Sequence, residues 1–401
     1  MQNNTLAING GQPVRKDAMP YREAFGVEEE NALLEAVSYY RDNNIDPPYE
    51  GIFEKRFCDA FVKYMGGGYA DAVASGTIAC YIAVAALNLP SGSDVLISPV
   101  TDSGPLNGII MQGLKPVLMD SALGSYNIGV EQFLERITPE TSAVFVVHSA
   151  GEPVDIEAIT REAHKRGIKV VEDCSQAPGA VCANQKVGSF GDIAAYSTMY
   201  RKTLTAGASG GIVYSKDIDV YHQAFAYADR GRPKWKKDYN GSDPGDALFP
   251  SLNFNTDELS CAIGIASIKR IQKTIDERCS FLEKLCEEIS TESKACFPYN
   301  FHNGFSPFYF PIFVDKEKIS CNKLEFANAL QAEGIALSPH YDCIISSWDY
   351  AKKYMKDDFV AHHAKDVSER SFNLFLNEKY GDQEVKDIVN AITKVESAFA
   401  N

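Results

Sequence analysis

Long hydrophobic runs are absent from this 401-residue chain, and no segment approaches the roughly 18 uninterrupted apolar residues that a membrane span needs. The first residues also lack the basic stretch followed by an apolar one that a secretory signal would show. We therefore expect no membrane partner and a cytoplasmic location. Hydrophobic residues make up 45% and charged residues 23% of the chain, which indicates an ordinary folded globular protein.

Paired metal ligands are also missing. The ten cysteines are scattered singly, without C-x-x-C pairs, and the seven histidines show no ligand spacing. We predict no bound metal, and reduced, mostly buried thiols. The formal net charge of −15 would repel a phosphate backbone, so nucleic acid is not an expected partner.

Short β-prone runs alternate with helical stretches from about residue 69 to residue 215, which indicates a mostly parallel sheet with helices on both faces. After Pro250 a long helical stretch and a mixed remainder follow. We predict an α/β fold with an N-terminal arm and a large domain over 1–255, and a small C-terminal α+β domain over 256–401. No G-x-G-x-x-G follows the early strands, which argues against a nicotinamide-dependent dehydrogenase.

Polar residues follow three of the predicted strands, at the sheet edge where open α/β sheets bind ligands. The first strand runs into Ser75-Gly-Thr77 and an apolar helix, whose free N–H groups suit an anion. The second ends in Glu172-Asp-Cys-Ser-Gln176, and the third at Ser197, just before Lys202 in a glycine-rich loop. Each feature alone also fits a helix cap or a solvated lysine.

Together the three strand ends match the needs of pyridoxal phosphate. An amine condenses with its aldehyde, an acid keeps its pyridine nitrogen protonated, and a helix terminus with hydroxyls holds its phosphate. The combination is more specific than any single part.

The sequence resembles the DegT/StrS sugar aminotransferases, a branch of the aspartate aminotransferase fold, over nearly its whole length. The matching motifs, in chain order, are Asn9-Gly-Gly-Gln-Pro-Val14, Ser75-Gly-Thr77, 137–143, His148-Ser-Ala-Gly-Glu-Pro-Val154, Glu172-Asp-Cys-Ser-Gln-Ala177, 187–192, 197–202, Gly210-Gly211, 253–259 and His340-Tyr341. The resemblance implies a large domain that binds pyridoxal phosphate and a smaller C-terminal domain.

The resemblance implies a role for each residue on the ring side of the site. Lys202 would bind the cofactor as a Schiff base and act as the general acid and base. Asp173 would pair with the pyridine nitrogen, Gln176 would approach the ring hydroxyl, and Ser175 would pack on one ring face.

Phosphate contacts are implied in the same way. They would come from Gly76 and Thr77 in the turn that begins at Ser75, from Ser197, and from Asn253 of a second subunit. That last contact implies a homodimer with shared active sites.

The sequence departs from the family around the predicted cofactor. Asp102 stands where the family usually has an aromatic residue that stacks on the ring, and a carboxylate cannot stack. Either Asp102 caps the next helix, or it accepts a hydrogen bond from a substrate hydroxyl at the cofactor. Arg201 and Asn255 also differ from the usual family residues, which puts the donor and acceptor contacts in doubt.

Two further groups are candidates for substrate binding. His340 and Tyr341 match the family and are predicted substrate contacts. Arg230 opens a basic loop that is either a solvated charged loop or a clamp for a phosphate or a nucleotide pyrophosphate; the loop also contains Arg232, Lys234, Trp235, Lys236 and Lys237.

The resemblance implies amino transfer from an amino acid, L-glutamate, to a keto sugar, with a nucleotide-linked deoxy sugar of polysaccharide or natural-product biosynthesis as the first candidate. A cyclitol ketone or a sugar without a nucleotide stays open, as does a non-catalytic binding or regulatory protein with this fold. Lys202 argues against the sugar dehydratases of the family, in which a histidine replaces the lysine.

Overall fold

A computed structural model describes residues 5–401. Its centre is a seven-stranded sheet with the order β1-β9-β8-β5-β4-β2-β3. Four of the neighbouring pairs in it are parallel, and the two pairs that β9 forms with β1 and β8 are antiparallel. The strands are β1 (Tyr69–Val73), β2 (Asp94–Ile97), β3 (Lys115–Leu118), β4 (Thr141–Val147), β5 (Lys169–Asp173), the hairpin strands β6 (Val181–Cys182) and β7 (Gln185–Lys186) outside this sheet, β8 (Ile193–Ser197) and β9 (Gly211–Ser215).

Helices cover both faces of this sheet, because successive side chains of its strands point to opposite faces and both sets are apolar. In β4, Ala143 and Phe145 belong to one hydrophobic core, whereas Val144 and Val146 belong to the other. The helices up to the end of the sheet are α1 (Val27–Asn43), α2 (Ile52–Met65), α3 (Gly76–Ala86), α4 (Ser103–Met111), α5 (Val130–Glu135), α6 (Ile156–His164) and α7 (Ile218–Ala228).

A 35-residue helix, α8 (Glu258–Glu292), leads from the large sheet to a second, four-stranded antiparallel sheet with the order β10-β11-β13-β12. The elements of this C-terminal part are β10 (Cys296–Pro298), β11 (Tyr309–Val314), α9 (Lys323–Ala332), β12 (Leu337–Ser338), α10 (Asp349–Lys352), α11 (His362–Arg370), β13 (Ser371–Phe375) and α12 (Asp382–Phe399). The predicted fold, a mostly parallel helix-covered sheet followed by a smaller α+β region, is confirmed.

The N-terminal segment packs on the C-terminal part of the chain. The backbone N–H of Arg15 donates to the carbonyl of Glu333, and its guanidinium pairs with Glu384 and Asp387 at 3.0 and 2.6 Å. The predicted division at 255/256 stays a prediction. None of the helices formed by residues 5–401 combines the length and the apolar composition that a membrane crossing needs.

Candidate active site

The carboxyl-terminal edge of the large sheet gathers the three predicted strand ends. Asp173, the last residue of β5, lies beside Ala195 of β8, and Ser197 at the end of β8 pairs with Gly211. Gly211 also pairs with Val73, the last residue of β1. The turn that begins at Ser75, the Asp173 carboxyl group and the Ser197 hydroxyl therefore share one edge of the sheet.

The turn after β1 forms a cradle for an anion. Ser75 is the N-cap of α3, and its Oγ accepts a hydrogen bond from the N–H of Ile78 at 3.2 Å. A Cβ atom on Gly76 would lie 2.4 Å from the Cβ of Ser197, so only glycine allows this approach. The first N–H groups of a helix, including that of Thr77, have no partner inside the helix and attract negative charge. These residues fit the phosphate of pyridoxal phosphate.

Asp173 is buried, with 4% of its surface exposed, and its Oδ1 accepts a hydrogen bond from the N–H of Ser175 at 2.9 Å. Burial raises the pKa of Asp173, although the hydrogen bonds from Ser175 and the charges of Lys202 and His148 act in the opposite direction. A buried carboxylate needs a cationic partner. The protonated nitrogen of a pyridine ring would meet that need.

Lys202 lies half-buried in the loop after β8, and its Nζ is 4.2 Å from the centre of the Phe308 ring. Burial lowers the pKa of Lys202, while the nearby charges of Asp173 and Asp102 partly oppose this. A lower pKa increases the fraction of neutral amine, which is the form that attacks an aldehyde.

Gln176 is oriented by the backbone of the His148–Val154 motif. Its Oε1 accepts a hydrogen bond from the N–H of Ala150 at 2.9 Å, and its Nε2 lies 3.4 Å from the Tyr341 hydroxyl. The amide NH₂ group is therefore directed towards Tyr341 and away from Ala150. Gln176 is thus placed as a hydrogen-bond donor.

Asp102 is the N-cap of α4, and its Oδ1 accepts a hydrogen bond from the N–H of Gly104 at 3.1 Å. The carboxylate is exposed, and α4 begins close to α3, because a Cβ atom on Gly104 would lie 3.3 Å from the Thr77 Oγ1. The helix-cap interpretation describes this geometry. A contact of Asp102 with cofactor or substrate stays a prediction.

A C-terminal segment forms one wall of the site. The N–H of Thr101 donates to the carbonyl of Cys343 at 2.9 Å, which holds Tyr341 and Cys343 beside the end of β2. The His340 ring, by contrast, is held between the Lys323 amine at 2.9 Å and the Asp342 carboxylate at 2.7 Å. Of the two predicted substrate contacts, the structure brings Tyr341 to Gln176 and ties His340 to surface charges.

The basic loop is largely neutralised by its own neighbours. The buried Asp229 carboxylate pairs with Arg230 at 2.6 Å, Arg232 at 3.5 Å and Lys234 at 2.7 Å, and Lys234 also pairs with Glu50. The Trp235 ring stacks on the His222 ring with centroids 4.4 Å apart. These contacts favour an anchored charged loop over an anion clamp.

The other two departures from the family, Arg201 and Asn255, are not fully buried. Arg201 is exposed, and its guanidinium lies over the Tyr200 ring at 5.4 Å. Asn253 is exposed, and its Oδ1 accepts hydrogen bonds from the backbone and side-chain amides of Asn255 at 3.1 and 2.8 Å. The contact of Asn253 with a second subunit stays a prediction.

One buried group of possible metal ligands lies behind the site: His148, Glu172 and Cys174, whose ligand atoms are within 4.8 Å of one another. The Glu172 carboxylate already accepts three backbone hydrogen bonds at 2.6 to 2.9 Å, and the His148 Nδ1 accepts the N–H of Val154 at 3.1 Å. The hydrogen bonds engage the lone pairs that a metal would need, so the group fits a structural role.

Sequence reasoning missed Ala150, Phe308 and Cys343. Phe308 stands directly before an apolar strand, so its sequence context indicates a core residue. A lone cysteine such as Cys343 gives no sequence signal of a binding site. Ala150 lies inside a motif that the sequence did identify, but its left-handed backbone, with φ of +62°, is not visible in the amino-acid type.

Comparison with known proteins identifies the family. The model of the DegT/DnrJ/EryC1/StrS aminotransferase family matches residues 30–393. The spore coat polysaccharide biosynthesis protein SpsC of Bacillus subtilis is 27% identical over 354 residues, which cover 85% of this chain and 89% of that protein. The dTDP-3-amino-3,6-dideoxy-alpha-D-galactopyranose transaminase of Aneurinibacillus thermoaerophilus is 31% identical over 233 residues, 58% of this chain and 59% of that protein.

A solved structure supports the same fold. The aminotransferase from Psychrobacter cryohalolentis superimposes with a TM-score of 0.87 at 21% identity, over 96% of this chain and 100% of that one. The chain belongs to the DegT/DnrJ/EryC1/StrS aminotransferase family and is a pyridoxal-phosphate-dependent aminotransferase.

Proposed function

We propose that the enzyme transfers the amino group of L-glutamate to a keto sugar, a nucleotide-linked deoxy sugar of cell-surface polysaccharide or natural-product biosynthesis. We further propose that it works in the cytoplasm as a homodimer with shared active sites, to which Asn253 of a second subunit contributes. The observation that carries the aminotransferase chemistry is the meeting of Lys202, Asp173 and Gln176 at the sheet edge beside the N-terminus of α3. The sugar acceptor is supported by the family and by the relatives named for polysaccharide and amino-sugar synthesis.

Four residues of the site have defined tasks in the proposed reaction: Lys202, Asp173, Gln176 and Ser175. Pyridoxal phosphate, when bound, supplies an aldehyde and an electron sink. The Lys202 amine moves the proton at the donor's Cα, a step worth about 10²–10⁴-fold in rate for a positioned general acid or base. Asp173 would hold the positive charge of the ring nitrogen, Gln176 would donate to the ring hydroxyl, and Ser175 would pack on the ring.

A second acceptor class is favoured by the state of the basic loop. Arg230, Arg232 and Lys234 pair with Asp229, so they are poorly placed to bind a pyrophosphate. A cyclitol ketone, or a keto sugar without a nucleotide, would need no such clamp. The Asp102 carboxylate, whose charge acts on Lys202, also suits a neutral hydroxyl better than a phosphate.

A panel experiment separates these acceptors. The enzyme is converted with L-glutamate to its amine form and freed of excess glutamate. It is then mixed with nucleotide-linked keto sugars, free keto sugars and inosose, and the return of the aldehyde form is followed by visible absorbance. We expect a nucleotide-linked keto sugar to react fastest. A faster reaction of inosose would favour the second class, and failure of glutamate to convert the enzyme would overturn the proposed function.

A further inference from the structure

A buried arginine of α8 lies behind the reactive lysine. Arg278 is 1% exposed, and its Nη1 donates to the Thr203 Oγ1 at 3.2 Å and to the Pro307 carbonyl at 2.9 Å. Thr203 follows Lys202, and Pro307 precedes Phe308, whose ring lies 4.2 Å from the Lys202 Nζ. The Arg278 guanidinium therefore bonds to the residue next to Lys202 and to the residue next to Phe308.

A second arginine holds the other end of the same loop. Arg22, in the N-terminal segment, donates from Nη1 to the Tyr200 carbonyl at 3.1 Å, two residues before Lys202. Burial lowers the pKa of Arg22 to about 10, and the charge of Arg278 acts in the same direction.

A single carboxylate balances this pair from the C-terminal part of the chain. The Glu378 Oε2 pairs with the Arg278 Nη2 at 3.1 Å, and its Oε1 accepts the N–H of Glu23 at 2.9 Å. Burial opposes the ionisation of Glu378, but the charges of Arg278 and Arg22 outweigh it, and its pKa is lowered. A buried charge of this kind is retained only when it is paired and hydrogen-bonded.

We propose that Arg278 and Arg22 are positioning residues that fix the lysine-bearing loop on its two sides, and that Glu378 makes this position depend on the docking of the N-terminal and C-terminal segments. The proposal rests on the proposed role of Lys202. It assigns no direct contact with substrate or cofactor to these three residues. Loss of this clamp, formed by Arg278, Arg22 and Glu378, would release Lys202 towards solvent and away from Phe308.

The first test measures Lys202 in the cofactor-free protein. A short pulse of an amine-acylating reagent between pH 7 and 11, followed by peptide mass spectrometry, gives the pH midpoint of Lys202 reactivity. We expect Arg278→Met and Arg22→Met to raise this midpoint towards the ordinary lysine value of about 10.4, because burial that lowers the pKa is lost. Arg56→Met is the matched control, since Arg56 also pairs with a glutamate, Glu35 at 2.8 Å, but on the surface.

The second test separates positioning from plain stabilisation. The double variant R278M/E378Q removes both buried charges and should recover thermal stability relative to Arg278→Met, yet keep the raised Lys202 midpoint. In the loaded enzyme we expect kcat to fall by about 10²-fold with little change in the KM for glutamate, as for a reacting group misplaced by about 1 Å.

Several outcomes would overturn the proposal. An unchanged Lys202 midpoint in folded Arg278→Met, with only lower stability, would leave Arg278 a structural residue. If Arg278→Met does not fold, Arg22→Met and Glu378→Gln decide in the same way. Absence of borohydride-trapped cofactor on wild-type Lys202 would instead refute the proposed function, and would leave the cofactor-free measurement standing.

Discussion

The N–H of Ala150 donates to the Oε1 of Gln176 at 2.9 Å, and it does so from a left-handed backbone conformation that is unusual for alanine. This contact decides which end of the Gln176 amide faces the site. A strained residue that orients a functional side chain is a common feature of active sites.

Removing the Gln176 amide tests that orientation. Gln176→Ala should weaken cofactor binding by about tenfold, because the proposed hydrogen bond to the ring hydroxyl, worth about 1.5 kcal/mol, is lost. The same variant should lower the free energy of unfolding by about 1–3 kcal/mol, because the Ala150 N–H is left buried and unpaired. Absorbance titration with pyridoxal phosphate and chemical denaturation measure the two effects. Gln185→Ala, at an exposed glutamine of the β6–β7 hairpin, should change neither quantity.

Lys202→Ala removes the amine that the proposed chemistry requires. We expect no cofactor to be trapped by borohydride and turnover to fall below detection, since the proposed function makes this half-buried lysine both the attachment point of the cofactor and the carrier of the proton. Mass spectrometry of the reduced protein and a glutamate half-reaction provide the readouts. Lys216→Ala, at an exposed lysine, should behave as the wild type, and turnover by Lys202→Ala would refute the assignment.

Asp173→Asn keeps the shape and the hydrogen bond from Ser175 but removes the charge. The variant should still bind the cofactor, whereas kcat should fall by about 10²–10³-fold, the usual loss for one preorganised electrostatic contact. Single-turnover kinetics with glutamate measure this directly. Asp155→Asn, at the exposed cap of α6, is the control; equal kcat for Asp173→Asn and wild type would contradict the role.

Asp102→Asn preserves the helix cap, because asparagine caps as well as aspartate. Stability should therefore stay within about 0.5 kcal/mol, while Asp102→Ala should lose about 0.5–2 kcal/mol. If Asp102 binds a substrate hydroxyl, the asparagine variant should raise the KM of the acceptor and leave the glutamate half-reaction unchanged. Unchanged acceptor kinetics would reduce Asp102 to a cap.

Glu54 should make stability depend on pH. The side chain is buried, and burial raises its pKa to about 8, with further contributions from Glu50 and Glu258, against about 4.3 in the unfolded chain. Between these two pKa values the folded protein binds more protons than the unfolded chain. The free energy of unfolding therefore falls as the pH rises through this window. Glu54→Gln should flatten that slope.

Denaturation of Glu54→Gln and wild type at pH 5 and pH 8.5 gives the comparison. From pH 5 to pH 8.5 the free energy of unfolding of the variant should rise by at least about 1 kcal/mol relative to that of wild type, since one pKa unit corresponds to about 1.4 kcal/mol. Glu135→Gln, at an exposed glutamate of α5, should run parallel to wild type. A parallel curve for Glu54→Gln would mean that Glu54 is already ionised in the folded protein.

The local sequence pattern was enough to predict the helices and strands and the polar residues at the strand ends. The helical spacing of Ile156, Ile159 and Ala163 and the glycine at 167 predict a helix that ends there and a strand directly after it, and the structure contains both as α6 and β5. The alternation of strands and helices predicts the parallel sheet, but no sequence pattern indicates that β9 runs antiparallel to β1 and β8. Whether a strand runs parallel or antiparallel to its neighbours depends on the path of the connecting chain, which local propensity does not encode.

The sequence by itself determined the α/β fold, the family, and the set of residues at the sheet edge, because these depend on periodicity and on residue types near one another in the chain. Only the tertiary structure decided how that edge is completed. The folded chain pairs Arg230 with Asp229, places the Phe308 ring beside Lys202 and bonds Arg278 to Thr203. Each of these groups could have had many other partners. Most of these contacts join residues far apart in sequence, and packing and charge compensation select them only once the chain has folded.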